Sequence, residues 1–306
     1  MEERCTGNLF FAALAASIGL VQFGYNIGCI NMPADLIKEW FVESYNKGLE
    51  KHQKRMTIAD METEWSVAVS IFAVGGIVGG LFCGYFADKF GRKTALILNN
   101  VIALIATVFF VLAKLFDVRY LFTAGRLIIG VNAGLNTGLV PMYLTEVSPV
   151  NIRGTIGSLP QFFATTSIVV SQLVGLPPLL GTAERWPWIF YGISVPAMLQ
   201  IFALFFCPES PMYNLLTNNN KSKAEKDLIK LRGHKNVNDE LKSIKKGEKS
   251  APARADISYT TMFDSKLFWP LALSTFMIIS QQLSGINAVL SSSKDLFKNV
   301  GLTNQW

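Results

Sequence analysis

Charge is scarce in this chain. Of its 306 residues 16% are Asp, Glu, Lys or Arg, where a soluble domain carries about 25%. Together with a hydrophobic content of 50%, this shortfall excludes a soluble enzyme, a disordered chain and a nucleic-acid binder. The net charge of +6 does not rescue the last class, because the basic residues fall between long apolar runs and form no basic face. Cysteine is also scarce. Cys29, Cys83 and Cys207 sit in apolar stretches, Cys5 stands alone near the start, and no C-x-x-C pair occurs. Neither a disulfide framework nor a metal site is supported, and no cofactor is implied. The two histidines, His52 and His234, are isolated in charged loops. No nucleophile–base pair falls in an apolar run, so nothing points to an enzyme.

What the chain does have is apolar runs of membrane-crossing length, about 20 residues each. Seven are expected: Leu9–Met32, Trp65–Ala87, Thr94–Phe116, Tyr120–Leu144, Ile156–Gly181, Trp186–Cys207 and Leu267–Leu290. The fold class is therefore an all-α membrane protein in a lipid bilayer. The first run has no basic n-region before it and no small-residue cleavage site after it, and reads as an anchor. Glycine is dense within the runs, as in Val74–Gly80 and Gly125–Gly138, and small residues let membrane helices approach closely.

Lys and Arg set the orientation. With the N-terminus cytosolic, the inner segments hold 17 of them and the outer segments 10. Segment 208–266 is then a cytosolic linker with short amphipathic helices, where Leu228, Ile229 and Leu231 sit among charges and Gly233 is a stop. Ser250–Arg254 reads as a linker and the outer segment 33–64 as a charged loop. Arg126 lies alone inside a span, and snorkelling or a structural pair is expected for it.

Several motifs share one pattern. Gly84, Asp88, Lys89, Gly91, Arg92 and Lys93 form a tight turn between the second and third runs. That spacing resembles the signature loop of the major facilitator superfamily. Gln22 to Asn26, Gly125-Arg126-Leu127, Pro141 to Pro149 with Arg153-Gly154, Pro208 to Pro211, and Gln281 to Val289 follow in order. Together they resemble the sugar-porter family, most closely the animal facilitative glucose transporters. The resemblance implies a fold of two six-helix halves with sugar held between them and alternating access. On it, 1–207 is the N-terminal six-helix half, 267–290 the first helix of the second half and 291–306 a short extracellular tail. The C-terminal half is incomplete, so a truncated form or a fragment is expected. The implied setting is the plasma membrane.

A hexose presents hydroxyls that both donate and accept, and a neutral amide answers both without a buried charge. Gln161, Gln281, Gln282 and Asn287 supply such amides in the runs. The resemblance makes them sugar contacts, against the plain alternative of interhelical hydrogen bonding. Gln281, Gln282 and Asn287 cannot all face one ligand from a straight helix at ~100° per residue. A bend or broken turn near Gly285 is therefore expected. Asn26 either lines the site or bonds between helices. Proton-coupled relatives carry an acid at its position, so the resemblance implies uncoupled transport. Leu283 resembles the glucose-preferring branch.

Asp88, Arg92, Glu146, Arg153 and Glu209 cluster at the inner ends of the runs. The resemblance implies a salt-bridge network that holds the outward-open state; loop anchoring is the alternative. Several of the family's partners fall in the second half, so these charges are expected to be solvated or unpaired here. Met212, Pro160 and Ser291 to Ser293 depart from the family pattern. The last three stand where the family has a tyrosine pair at the outer gate.

Two rival classes remain. A seven-helix receptor would need an external N-terminus, which the basic residues oppose. A half-transporter that associates with a full-length sibling, or with its own copies, fits the length.

Overall fold

The computed structural model describes residues 6–47, 56–234, 236–250 and 265–285. Twelve helices occur among them: α1 Gly7–Gly28, α2 Ala34–Lys47, α3 Ile58–Phe90, α4 Arg92–Leu115, α5 Arg119–Val147, α6 Arg153–Val174, α7 Pro187–Tyr191, α8 Ser194–Phe206, α9 Pro211–Leu216, α10 Lys221–Arg232, α11 Asn238–Ser250 and α12 Ser265–Leu283. No strand occurs among the described residues. The chain divides into two compact units, Met1–Lys235 and Asn236–Trp306.

Among the described residues, five stretches are long and apolar enough to cross a membrane: α1, α3, α4, α5 and the α7–α8 pair. Helix α6 has the length, 22 residues, but carries eight hydroxyl or amide side chains. The second run begins earlier than its apolar stretch, because Thr57 and Asp60 form a reciprocal capping box and draw the helix out to Ile58. The fifth ends earlier, at Val174, where Gly175, Pro177 and Pro178 follow and proline cannot continue the ladder. The sixth is broken between Tyr191 and Ser194.

In the first unit α3 and α4 both pack on α5, while α1 packs on α6, α5 and α8. One end gathers the starts of α1, α4 and α6 with the ends of α3, α5 and α8. The core at that end is mostly Ala and Leu with Tyr143. At the opposite end it is aromatic: Phe122 lies 5.3 Å from Phe110 and 5.0 Å from Phe190, ring to ring.

Helix α2 departs from the loop expected over 33–64. Its buried Ile37, Trp40, Phe41 and Ser44 recur at helical spacing and close the aromatic core. Trp40 donates its indole N–H to Asp117 at 3.0 Å, and Lys47 reaches the same carboxylate at 2.7 Å. Those two bonds hold the Asp117 carboxyl below its usual range.

Gly233 does stop α10, in the left-handed conformation at φ +73°. At the same end of the bundle, Thr6 caps α1 and donates to the Leu231 carbonyl, and Asn8 donates to the Lys230 carbonyl at 2.8 Å. Helix α10 is thereby tied to the start of α1.

Candidate sugar site and charged end cluster

Helix α6 presents an open polar face. Gln161 is exposed, its amide donates to Thr165 Oγ1 at 3.3 Å, and that hydroxyl donates to the Gln161 carbonyl at 3.0 Å. One turn earlier, a Cβ placed on Gly157 would meet nothing within 4 Å.

In the second unit Gln281 and Gln282 are exposed near the end of α12. The α-helix stops at Leu283, Ser284 Oγ turns back to the Gln281 carbonyl at 2.6 Å, and Gly285 takes φ +73°. An L-residue avoids that region and glycine does not. Residues 286–290, Asn287 among them, and Ser291 to Ser293 lie outside the described residues.

Asn26 is fully buried, its amide donating to the Gln22 carbonyl at 2.8 Å. That burial sets it among the helices and off the exposed face that carries Gln161. Behind it runs a polar seam of which the sequence motifs singled out only Gln22. Gln22 Nε2 donates to Asn100 Oδ1 at 2.7 Å and to Gln200 Oε1 at 2.9 Å. Gln200 Nε2 in turn reaches the Ala15 and Ala16 carbonyls at 3.1 and 3.0 Å. Three amides thus lock α1, α4 and α8 together. The signal was present, since Gln200 stands alone in an apolar run, but its partners are far away in sequence.

Of the two alternatives expected for Arg126, the structure has structural partners inside the bundle. Arg126 does not snorkel: it is 2% exposed, its guanidinium lies 4.6 Å from the centre of the Phe72 ring, and Nη1 donates to the Asn26 carbonyl at 3.2 Å. Among the described residues it forms no salt bridge. The close approach of α3, α1 and α5 leaves no path by which this side chain could reach a headgroup region.

The five charges expected at one end are brought together unevenly. Arg92 is the hub. Its Nη2 lies 2.9 Å from Glu146 Oε1, its Nη1 3.2 Å from Asp88, and its plane stacks on Tyr213 at 5.3 Å. The second Glu146 oxygen accepts from Ser210 Oγ. Glu209 instead caps the start of α4, accepting from the Lys93 and Ser210 amides at 2.8 and 2.9 Å. Burial pushes its carboxyl above the usual range, and those backbone N–H groups pull it back. Gly91 makes the fit work: at φ +86°, a Cβ there would stand 2.8 Å from both Glu209 Oε2 and the Tyr213 ring. Arg153 stays apart, with one bond to the Ser148 carbonyl at 3.4 Å. The expectation that these charges are solvated or unpaired is thus corrected for Arg92, Glu146 and Glu209. Their partners lie in the same unit.

A sequence profile for sugar (and other) transporters matches residues 12–306. The chain belongs to the sugar transporter family. The family consists of transporters, not enzymes. A relative from Caenorhabditis elegans, facilitated glucose transporter protein 1, is 43% identical over 302 residues, which are 99% of this chain and 59% of that protein. The chicken solute carrier family 2, facilitated glucose transporter member 3, is 36% identical over 99% of this chain and 60% of its own length. The chain thus spans about 60% of the length of the relatives it matches. The fold is that of the major facilitator superfamily. The proton:xylose symporter XylE bound to 6-bromo-6-deoxy-D-glucose matches with a TM-score of 0.81 at 24% identity, over 98% of this chain and 64% of that one. The inward-open xylose transporter XylE from E. coli matches with a TM-score of 0.72 at 24% identity, over 94% of this chain and 64% of that one.

Proposed function

We propose that this chain serves facilitative, uncoupled transport of a hexose, with glucose as the substrate, by alternating access. The observation that carries it is the family match from residue 12 to residue 306, with relatives named as facilitated glucose transporters. Within that reading Gln161, Gln281, Gln282 and Asn287 contact the sugar. The exposed amides on α6 and α12 suit a ligand whose hydroxyls donate and accept. The protein sits in the plasma membrane with its N-terminus cytosolic, as the basic residues favour.

The absence of proton coupling rests on Arg126. A proton relay within a membrane needs an ionisable partner that gains and loses its charge. The buried guanidinium here meets the carbonyl of Asn26 and an aromatic face. The acids of the spanning helices sit at their ends: Asp60, Glu62 and Glu64 at the start of α3, Asp88 near its finish, Glu146 near the finish of α5.

The exposed apolar side chains of α3, α6 and α8, among them Leu81, Phe162 and Phe202, suit lipid. They equally suit another chain, which supports a second reading: association with copies of itself or with a full-length relative that it modulates.

Gln161→Ala tests the first reading. In proteoliposomes of the full-length protein, the KM for glucose should rise about tenfold, since losing one or two hydrogen bonds to a neutral partner costs about 1.4 kcal/mol. The melting temperature should stay unchanged, because the side chain is exposed. An unchanged KM would remove Gln161 from the site.

A further inference from the structure

Three consecutive carbonyls close α8, and two lysines hold them. Lys93 Nζ donates to the Phe205 and Cys207 carbonyls at 3.2 and 2.8 Å, and Lys230 Nζ donates to the Phe206 carbonyl at 2.8 Å. Neighbouring carbonyls at a helix end are only a few ångströms apart, so the two ammonium groups sit side by side. A helix C-terminus is equivalent to roughly half a negative charge. Two full positive charges exceed it.

An ammonium has three donors. Lys93 uses two on the carbonyls and Lys230 one, so donors remain. Exposed Lys223 stands two turns before Lys230 on the same face of α10, and the half-buried Asp227 lies between them on that face. That carboxylate is already held by Asn214 Nδ2 at 2.6 Å. Lys93, Lys223 and Lys230 thus outnumber the two nearby carboxylates, Asp227 and Glu209, both already engaged, and the patch is left positive. Immediately along α8, the large side chains of Met198, Leu199, Phe202, Phe205 and Phe206 are exposed. Helix α8 belongs to a stretch apolar enough to cross a membrane, so those side chains meet acyl chains and the lysines stand where headgroups begin.

We propose that Lys93, Lys223 and Lys230 bind the headgroup phosphate of an anionic phospholipid, whose acyl chains run along Phe202 and Phe205. The apolar strip beside the cations commits the site to a lipid, because a soluble phosphate would gain nothing from it. The choice of leaflet rests on the orientation proposed above, and the binding itself does not rest on the sugar reading. An occupied site would brace the ends of α4, α8 and α10 against one another.

The full-length protein in detergent, given phosphatidylserine and phosphatidylcholine in equal amounts, is read by native mass spectrometry for the lipid it retains. Phosphatidylserine should be retained preferentially, with about fivefold lost for each lysine removed, the value of one cation near an anionic headgroup. Lys93→Ala/Lys230→Ala should therefore reduce the preference about 25-fold. Lys223→Ala, whose side chain supports no carbonyl of α8, should reduce it fivefold without touching the helix end. Lys242→Ala, an exposed side chain on α11, should leave it unchanged. Equal retention of the two lipids by the unaltered protein, or a preference undiminished in both lysine variants, would overturn the proposal. Displacement of the lipid by inorganic phosphate at equal concentration would make this a soluble-anion site and overturn it as well. No sugar enters the measurement, so its failure is separate from failure of the transport reading.

Discussion

Gly134→Ala should lower the melting temperature by roughly 10 °C, while Gly80→Ala should leave it unchanged or raise it. Helices α3 and α5 meet through glycine on both sides. A Cβ on Gly134 would overlap the Gly76 carbonyl oxygen and lie 2.8 Å from the Gly80 nitrogen. Gly75, Gly79 and Gly130 face backbone carbonyls of Leu127, Val131 and Phe72 in the same way. Every obstructing atom is backbone, so no rotamer change makes room and the helices must separate. Overpacking of this kind costs ~3 kcal/mol or more, which is roughly 10 °C for a domain of this size. Gly80 stands one residue from Gly79, yet its Cβ would meet nothing within 4 Å. There alanine gains the ~0.5–1 kcal/mol by which it is the better helix former. A thermal-shift assay in detergent reads both signs. Equal effects of the two substitutions would mean that α3 and α5 are not in backbone contact.

The second large effect is at the charged end. Glu146→Ala should cost ~3–5 kcal/mol, because it strands a buried guanidinium. Arg92 is 6% exposed, and its other carboxylate, Asp88, is 63% exposed and therefore screened. Removing both charges in Arg92→Met/Glu146→Leu should cost less than Glu146→Ala alone, since no unpaired charge is left behind. A double-mutant cycle on thermal stability measures that coupling directly. Additive losses would mean that the pair is solvated. The physical consequence is mechanical. Arg92, Glu146 and Ser210 join the starts of α4 and α9 to the end of α5. Rocking of the first unit would then carry these ends together as one body.

Much of this was legible in the residues, and the exceptions have physical reasons. The turn at Asp88 to Lys93 could be read because its partners are close in sequence and glycine is needed at φ +86°. The end of α12 at Leu283, with Gly285 at φ +73°, agrees with the turn expected near Gly285 as far as the described residues run. Helix α2 was not read, although Ile37, Trp40, Phe41 and Ser44 carry the helical period, because the charge density of 33–64 suggested a loop. For Arg126 the residues left snorkelling and a structural pair both open, because its partners, the Phe72 ring and the Asn26 carbonyl, come from other helices. Glu209 looked like a gate charge, and its bonds to the start of α4 depend on tertiary approach. The amides of Gln22, Asn100 and Gln200 meet across three helices, and no local pattern announces such a meeting.

The central claim is uncoupled sugar transport, and uptake of labelled D-glucose by proteoliposomes of the full-length protein tests it most directly. The account predicts saturable entry that rejects L-glucose, stops at equilibrium, proceeds at the same initial rate with or without an imposed inward proton gradient, and leaves the pH of the medium unchanged. Accumulation above equilibrium under that gradient, with alkalinisation of the medium as sugar enters, would contradict it.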